Sequence, residues 1–215
     1  MAVRDRFNCG PRRLGHGWEL WAVRAVSTTL ISRFIRPAVR SIPPAMARQL
    51  GPCRVSVVDD LGGPTLLSRW TASGHGLQIE LAAGGREEHD VALELLLCLG
   101  QALWTKLTSS QERAYWLLVD EELRADTPGE IDEDALQQKK ALLSGYFSAT
   151  SRRRLARYGA ASFAGTAAEY VHCLWHNVTI RSGPDFLPAR QLKRRLELLA
   201  QWYPPAPGHQ LFRRE

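Results

Sequence analysis

EEHDVALELLLCLGQALWTKL, residues 87–107, is the stretch on which the reading of this 215-residue chain turns. Its run Leu95-Leu96-Leu97-Cys98-Leu99 leaves no polar face for almost two helical turns, and a helix apolar all round is normally central rather than laid on a surface. The segment is therefore expected to be the core helix. Within it Glu94, Leu97, Cys98 and Gln101 follow the i, i+3, i+4, i+7 spacing that places side chains on one stripe, so the few groups capable of chemistry should point the same way.

Upstream, the periodicity changes. Cys53 to Val58 (CRVSVV) alternates as a strand does, Leu66 to Ala72 (LLSRWTA) is a second extended candidate, and Leu77 to Ala82 (LQIELA) sets Leu77, Ile79 and Leu81 against Gln78 and Glu80. Asp59 to Pro64 and Ser73 to Gly76 supply the turns between them. Three short strands suit a small antiparallel or mixed sheet, with Gly84-Gly85 as the break before the helix.

Downstream, the chain reads as helical. Ser109 or Ser110 with Glu112 signals a helix through Arg124, and Asp132 to Leu143 follows Thr127-Pro128-Gly129. Ser148 to Tyr158 carries Arg152-Arg153-Arg154 and is expected to end at Gly159; Phe163 to Val178 and Pro188 to Trp202 complete the set. Strands first and helices afterwards predict an α+β domain with a small N-terminal sheet and a mainly helical remainder.

Residues 1–44 read as a basic, flexible N-terminal arm, closed by Ile42-Pro43-Pro44, ahead of a single domain over 45–204 and a tail over 205–215. Within the arm, Trp18 to Phe34 is expected to form one amphipathic helix. Two readings stand for it: a segment that contacts a membrane surface or docks a partner, or a leader upstream of Met46.

The net charge of +6 is unevenly spread, which bears on partners. Residues 1–54 carry 10 basic and 2 acidic groups, residues 55–150 carry 7 and 16, and residues 151–215 carry 11 and 4. An acidic middle between basic ends suits internal charge pairing as well as it suits a phosphate-binding face, and this argues against a nucleic-acid partner. Cys9, Cys53, Cys98 and Cys173 form no CxxC pair, as expected in a reducing compartment. With no apolar run near the roughly 20 residues that span a bilayer, and no compact apolar segment at the start, a soluble cytoplasmic protein without a transmembrane segment is expected.

The second candidate stretch is EYVHCLWH, where Glu169, His172 and His176 are spaced i, i+3 and i+7 and share one helix face. Carboxylate with imidazole suits zinc or another transition metal. The alternative is a hydrogen-bonded carboxylate with histidines packed around Trp175 and Tyr170. No GxSxG elbow, GxxxxGK[ST] loop or GxGxxG fingerprint is present.

A central apolar helix after a short sheet, followed by a helix with the AxEYxxxxW segment Ala167 to Trp175, resembles the zincin metallopeptidases. In these an HExxH helix supplies two histidines and a later helix a glutamate. With Leu95 to Trp104 laid over the HELGHAL-like stretch of that family, Leu97 and Gln101 stand where the histidines belong, Cys98 where the catalytic glutamate belongs, and Glu169 where the third ligand belongs. Leucine binds no metal, glutamine is a poor zinc ligand, and a thiol is not a carboxylate base. The resemblance therefore implies a zincin-like scaffold without peptidase chemistry, with no catalytic residue, a vestigial cleft at Glu94, Leu97, Cys98 and Gln101, and a protein partner as ligand. Zinc is then an option at Glu169, His172 and His176, with Glu94 or Cys98 of the core helix as further donors, as the centre of a metal-dependent hydrolase with a relocated site. If no metal binds, Glu169 is expected to be buried and partnered by Gln101 or, failing that, His172.

Overall fold

The computed structural model describes residues 10–23, 26–63, 65–144, 151–176 and 183–212. The architecture is α+β, as expected: a five-stranded mixed sheet from the N-terminal part, then helices. The strands are β1 (Arg12–Arg13), β2 (Glu19–Ala22), β3 (Cys53–Val58), β4 (Ser68–Ser73) and β5 (Gly76–Ala82), in spatial order β1-β2-β3-β5-β4. β2 runs parallel to β3 and β3 parallel to β5, while β1 and β4 close the two edges in antiparallel fashion.

The predicted alternation sets the register. Val55 lies opposite Ile79 and Val57 opposite Leu81, and all four are fully buried. Arg54 and Gln78 oppose each other on the outer face, where Arg69 also pairs across the strands with Glu80. Side chains alternate faces along a strand, so the buried set forms one apolar surface. The helix α3 (Glu88–Trp104) packs against it over β4 and β5.

As its composition demands, α3 is the core helix: Val91, Ala92, Leu95, Leu96, Cys98, Leu99, Ala102 and Leu103 are buried around its circumference. Its other side lies along α6 (Ser151–Trp175). Between them in sequence come α4 (Ser109–Arg124) and α5 (Glu133–Leu143), and α7 (Ala189–Trp202) follows α6. The cap of α4 sits one residue earlier than the expected Ser109 or Ser110. Thr108 accepts from the Gln111 amide, and the Gln111 side chain returns the bond to the Thr108 N–H, a reciprocal capping box.

Two expectations are corrected. First, the predicted helix end at Gly159 does not occur, because α6 runs through it. Gly159 is there for space: a Cβ would lie 2.2 Å from the Trp116 ring, so the missing side chain admits the indole of α4. The expected start at Ser148 and end at Val178 lie outside the described residues.

Second, the described part of residues 1–44 is not a flexible arm. Leu14, Trp18, Leu20, Leu30, Ile31, Ile35, Val39 and Ile42 are buried in the same core cluster as α3 and α6. The single amphipathic helix expected from Trp18 to Phe34 is replaced by β2 and, after it, a π-helical stretch Leu30–Ile35 that runs into α1 (Arg36–Ser41); α2 (Pro44–Leu50) follows. Leu20 opposite Val55 in a parallel ladder explains the strand: a place in the sheet satisfies the backbone and buries Leu20 and Trp18 together. The Trp18 indole N–H also donates to the Gly51 carbonyl at 3.0 Å. One core therefore extends from Leu14 to Tyr203, and Leu211 of the expected tail packs against it.

No single helix among the described residues is long and apolar enough to cross a membrane. Part of the uneven charge is paired between the blocks, at Arg195 in the interior and elsewhere on the surface. Arg194 and Arg195 of the basic C-terminal block pair with Glu121, Glu122 and Glu130 of the acidic middle, and Lys140 pairs with Asp185.

Candidate functional site

α3 presents two stripes, and the structure divides the expected vestigial cleft between them. On the first, facing β4, Glu94 accepts from the Ser68 hydroxyl at 2.9 Å and Gln101 accepts from the Trp70 indole N–H at 2.8 Å. Cys98 between them is buried, whereas Glu94 is half-buried and Gln101 exposed, and burial pushes the Cys98 thiol up to about 11, opposed by a bond to Ser68 and helped by the charge of Glu94. Such a thiol stays protonated at neutral pH and is neither a base nor a ready metal ligand. On the second stripe His89, Leu93 and Leu97 follow one another at i, i+4, i+8 and line a cavity of about 680 Å³ between α3, α6 and the segment before α5. Leu97 thus leaves the stripe it was assigned to.

The far wall of this cavity is α6, whose Gly165, Ala168, Glu169, His172 and His176 face it together. Glu169 and His172 meet as the i+3 spacing requires, with the Glu169 carboxylate 3.2 Å from His172 Nδ1. The Cys173 thiol is 4.0 Å from the other carboxylate oxygen. The Glu169 side chain keeps 22% of its surface exposed, so it is half-buried rather than enclosed. Of its two expected partners, His172 is present and Gln101 is not, because Trp70 holds Gln101 on the opposite stripe.

His89, on the cavity-facing stripe of α3, completes the group. Its Nε2 lies 3.3 Å from His172 Nε2, and the rings of His89, His172 and His176 stand 5.2, 5.6 and 5.6 Å apart, centre to centre, in a nearly equilateral triangle. Trp175 stacks on His89 at 5.7 Å, and Phe34 meets the edges of both rings. His176 is the exposed member. Partial burial and then the neighbouring His172 and His89 hold its pKa below the ordinary imidazole value. The sequence signal for His89 was the i, i+4, i+8 run His89, Leu93, Leu97, which only the position of α6 makes meaningful. Among the described residues, no three or more His, Cys, Asp and Glu side chains are gathered as a ready-made metal site.

At the inner end of the cavity the chemistry is different. Asp132 caps α5 through Oδ1, which accepts from the Ala135 amide at 3.1 Å, while Oδ2 is buried against Gly165 with no hydrogen-bond partner. Burial pushes this carboxyl up to about 6, with Asp134 and Glu130 adding to the shift. Behind it Glu130 accepts from Arg195 at 2.8 and 3.1 Å and from the Tyr158 hydroxyl at 2.5 Å. Arg195, fully buried, also forks onto Glu122 and donates to Ser162, tying α7 to α4 and α6. Glu130 is thus the centre of a buried ion network, with Lys139 Nζ a further 3.7 Å away.

The chain matches no protein-family model, no curated protein and no solved structure.

Proposed function

We propose that this is a non-catalytic, zincin-like domain that acts by binding a protein partner. The supporting observation is the fate of the positions that the resemblance assigns to the HExxH donors. Leu97 is an apolar wall, Cys98 is a buried and protonated thiol, and Gln101 is engaged by Trp70. Zinc hydrolysis needs imidazole or carboxylate donors and a base for the bound water, so the residues at these positions do not fit the ion the family would hold. What remains is an open cavity with apolar walls at Leu93, Leu97, Phe186 and Leu192, which suits an inserted apolar side chain of a partner.

Two measurements test this. A pool of unstructured peptides incubated with the protein and Zn²⁺ is expected to remain intact by mass spectrometry; zinc-dependent cleavage lost in Cys98→Ala or Gln101→Ala would overturn the reading. A photo-crosslinking residue at position 192 is expected to trap a protein in cells, with the adduct lost when Leu97→Arg fills the cavity. Adducts that persist in that variant count against the cavity as the docking site.

A metal-dependent hydrolase using Glu169, His172 and His176 is the second reading, favoured by the contact of the Glu169 carboxylate with His172 on the shared helix face. It requires zinc-dependent turnover that disappears in His172→Ala.

A further inference from the structure

We propose that His89, His172 and His176 form a transition-metal site at the mouth of the cavity, with Glu169 as a positioning residue rather than a ligand. This does not depend on the zincin resemblance, since none of the three histidines occupies a position that the resemblance assigns to a metal donor.

The argument starts from Glu169. Its carboxylate lies against His172 Nδ1, and so assigns the proton of the neutral ring to that nitrogen. Nε2 is left with a free lone pair, and it is this atom that faces His89 Nε2 at 3.3 Å. A carboxylate holding the outer nitrogen of a histidine whose other nitrogen binds metal is the usual second layer of such sites: it fixes the tautomer and raises the basicity of the ligand.

The separation of the two nitrogens carries the next step. Ligands about 2.0–2.1 Å from a tetrahedral Zn²⁺ stand roughly 3.3–3.4 Å from each other, which is the distance found here. An ion shared by the two would sit to one side of the line joining these nitrogens, so binding it turns the rings out of the contact they make here, in which the three histidines do not yet enclose a metal position. Both rings are already held. His89 is stacked on Trp175 and edged by Phe34, and His172 is fixed by Glu169. His176, one turn beyond His172 on the same face, is exposed and is the member that rotates in to complete the set. A trio of imidazoles suits Zn²⁺, Cu²⁺, Ni²⁺ or Co²⁺ rather than Mg²⁺ or Ca²⁺. Because all three histidines line the cavity, a bound ion would be within reach of a donor group on whatever enters it.

The test uses the full chain, purified without a histidine tag, treated with chelator and dialysed. Titration calorimetry with Zn²⁺ is expected to give one ion per chain, and Co²⁺ to give the visible spectrum of a four-coordinate complex. His89→Ala and His172→Ala should each weaken Zn²⁺ binding roughly 10-fold or more, and Glu169→Gln by about 10–100-fold with the stoichiometry kept at one. His176→Ala should retain weaker binding and change the Co²⁺ spectrum. His172→Phe preserves the ring packing should the alanine variant misfold, as judged by circular dichroism. Absence of stoichiometric Zn²⁺ binding, or binding unaltered in folded His89→Ala and His172→Phe proteins, overturns the proposal and leaves the histidine pair as a shared-proton contact.

Discussion

Gly100 on α3 and Ala164 on α6 touch backbone to backbone: a Cβ placed on Gly100 would lie 2.5 Å from the Ala164 carbonyl oxygen and 2.8 Å from its Cα. This crossing sets the distance between the two helices that carry the histidines and the cavity. In an exposed helix Gly→Ala gains about 1 kcal/mol from propensity. Here the neighbour is backbone and cannot rotate away, so Gly100→Ala is expected to destabilise by about 1–3 kcal/mol. Chemical denaturation gives the sign directly, and a stabilised variant would mean the helices part without cost.

The burial of the N-terminal residues gives a second prediction. Deletion of residues 1–40 removes β1, β2 and most of the helical segment before α2, including the buried Trp18, Leu20, Leu30, Ile31, Ile35 and Val39. Each large side chain contributes about 1.5–3 kcal/mol of burial, against a net stability of about 5–15 kcal/mol for an ordinary domain. The truncated chain should show no cooperative thermal transition by circular dichroism. A transition close to that of the full chain would show these residues to be dispensable.

Arg195 supports a third. It is fully buried between Glu122 and Glu130, so Arg195→Met leaves Glu122 without its bonded cation and Glu130 with only Lys139, 3.7 Å away, in a buried site. Removing one member of a buried ion network typically costs about 3–5 kcal/mol. Urea unfolding should register a loss of that size, and adding Glu122→Gln and Glu130→Gln should recover part of it. If Arg195→Met unfolds within about 1 kcal/mol of the parent, the network has no net role in stability.

For Asp132 the sign follows from its raised pKa of about 6 against an ordinary 3.8. The folded chain binds this proton more tightly than the unfolded chain does, so stability is favoured below about pH 4 and lost as pH rises through 6. A shift of about two units corresponds to roughly 3 kcal/mol. Asp132→Asn keeps an oxygen for the α5 cap but does not titrate. Comparing unfolding free energies at pH 4 and pH 7.5, the variant should gain on the parent by about 1–3 kcal/mol at the higher pH. An unchanged difference between the two proteins would show that Asp132 is not the titrating group.

Local pattern by itself determined the class of fold, β3 to its exact ends, the alternation of β5, the central place of α3, and the helical second half. Period and composition suffice where a segment is long or strongly periodic, because the buried face is then written into neighbouring residues. The same face rule brought Glu169 and His172 into contact one turn apart. Everything that depends on which face meets which partner was decided by tertiary structure. Trp18 to Phe34 fits a helical pattern as well as an extended one, and only the open edge of β3, which accepts Leu20 beside Val55, turns its first part into a strand. Gly159 reads as a stop, yet it lies within α6 because Trp116 fills the space of its absent side chain. Glu94, Cys98 and Gln101 share a stripe, but β4 claims that stripe, and the cavity takes the next one with His89 and Leu97. His89 and His172 are 83 positions apart, and no local periodicity relates them. Their meeting is fixed by how closely α3 and α6 approach, which in turn rests on a glycine and an alanine whose small size acquires meaning only when the two helices cross.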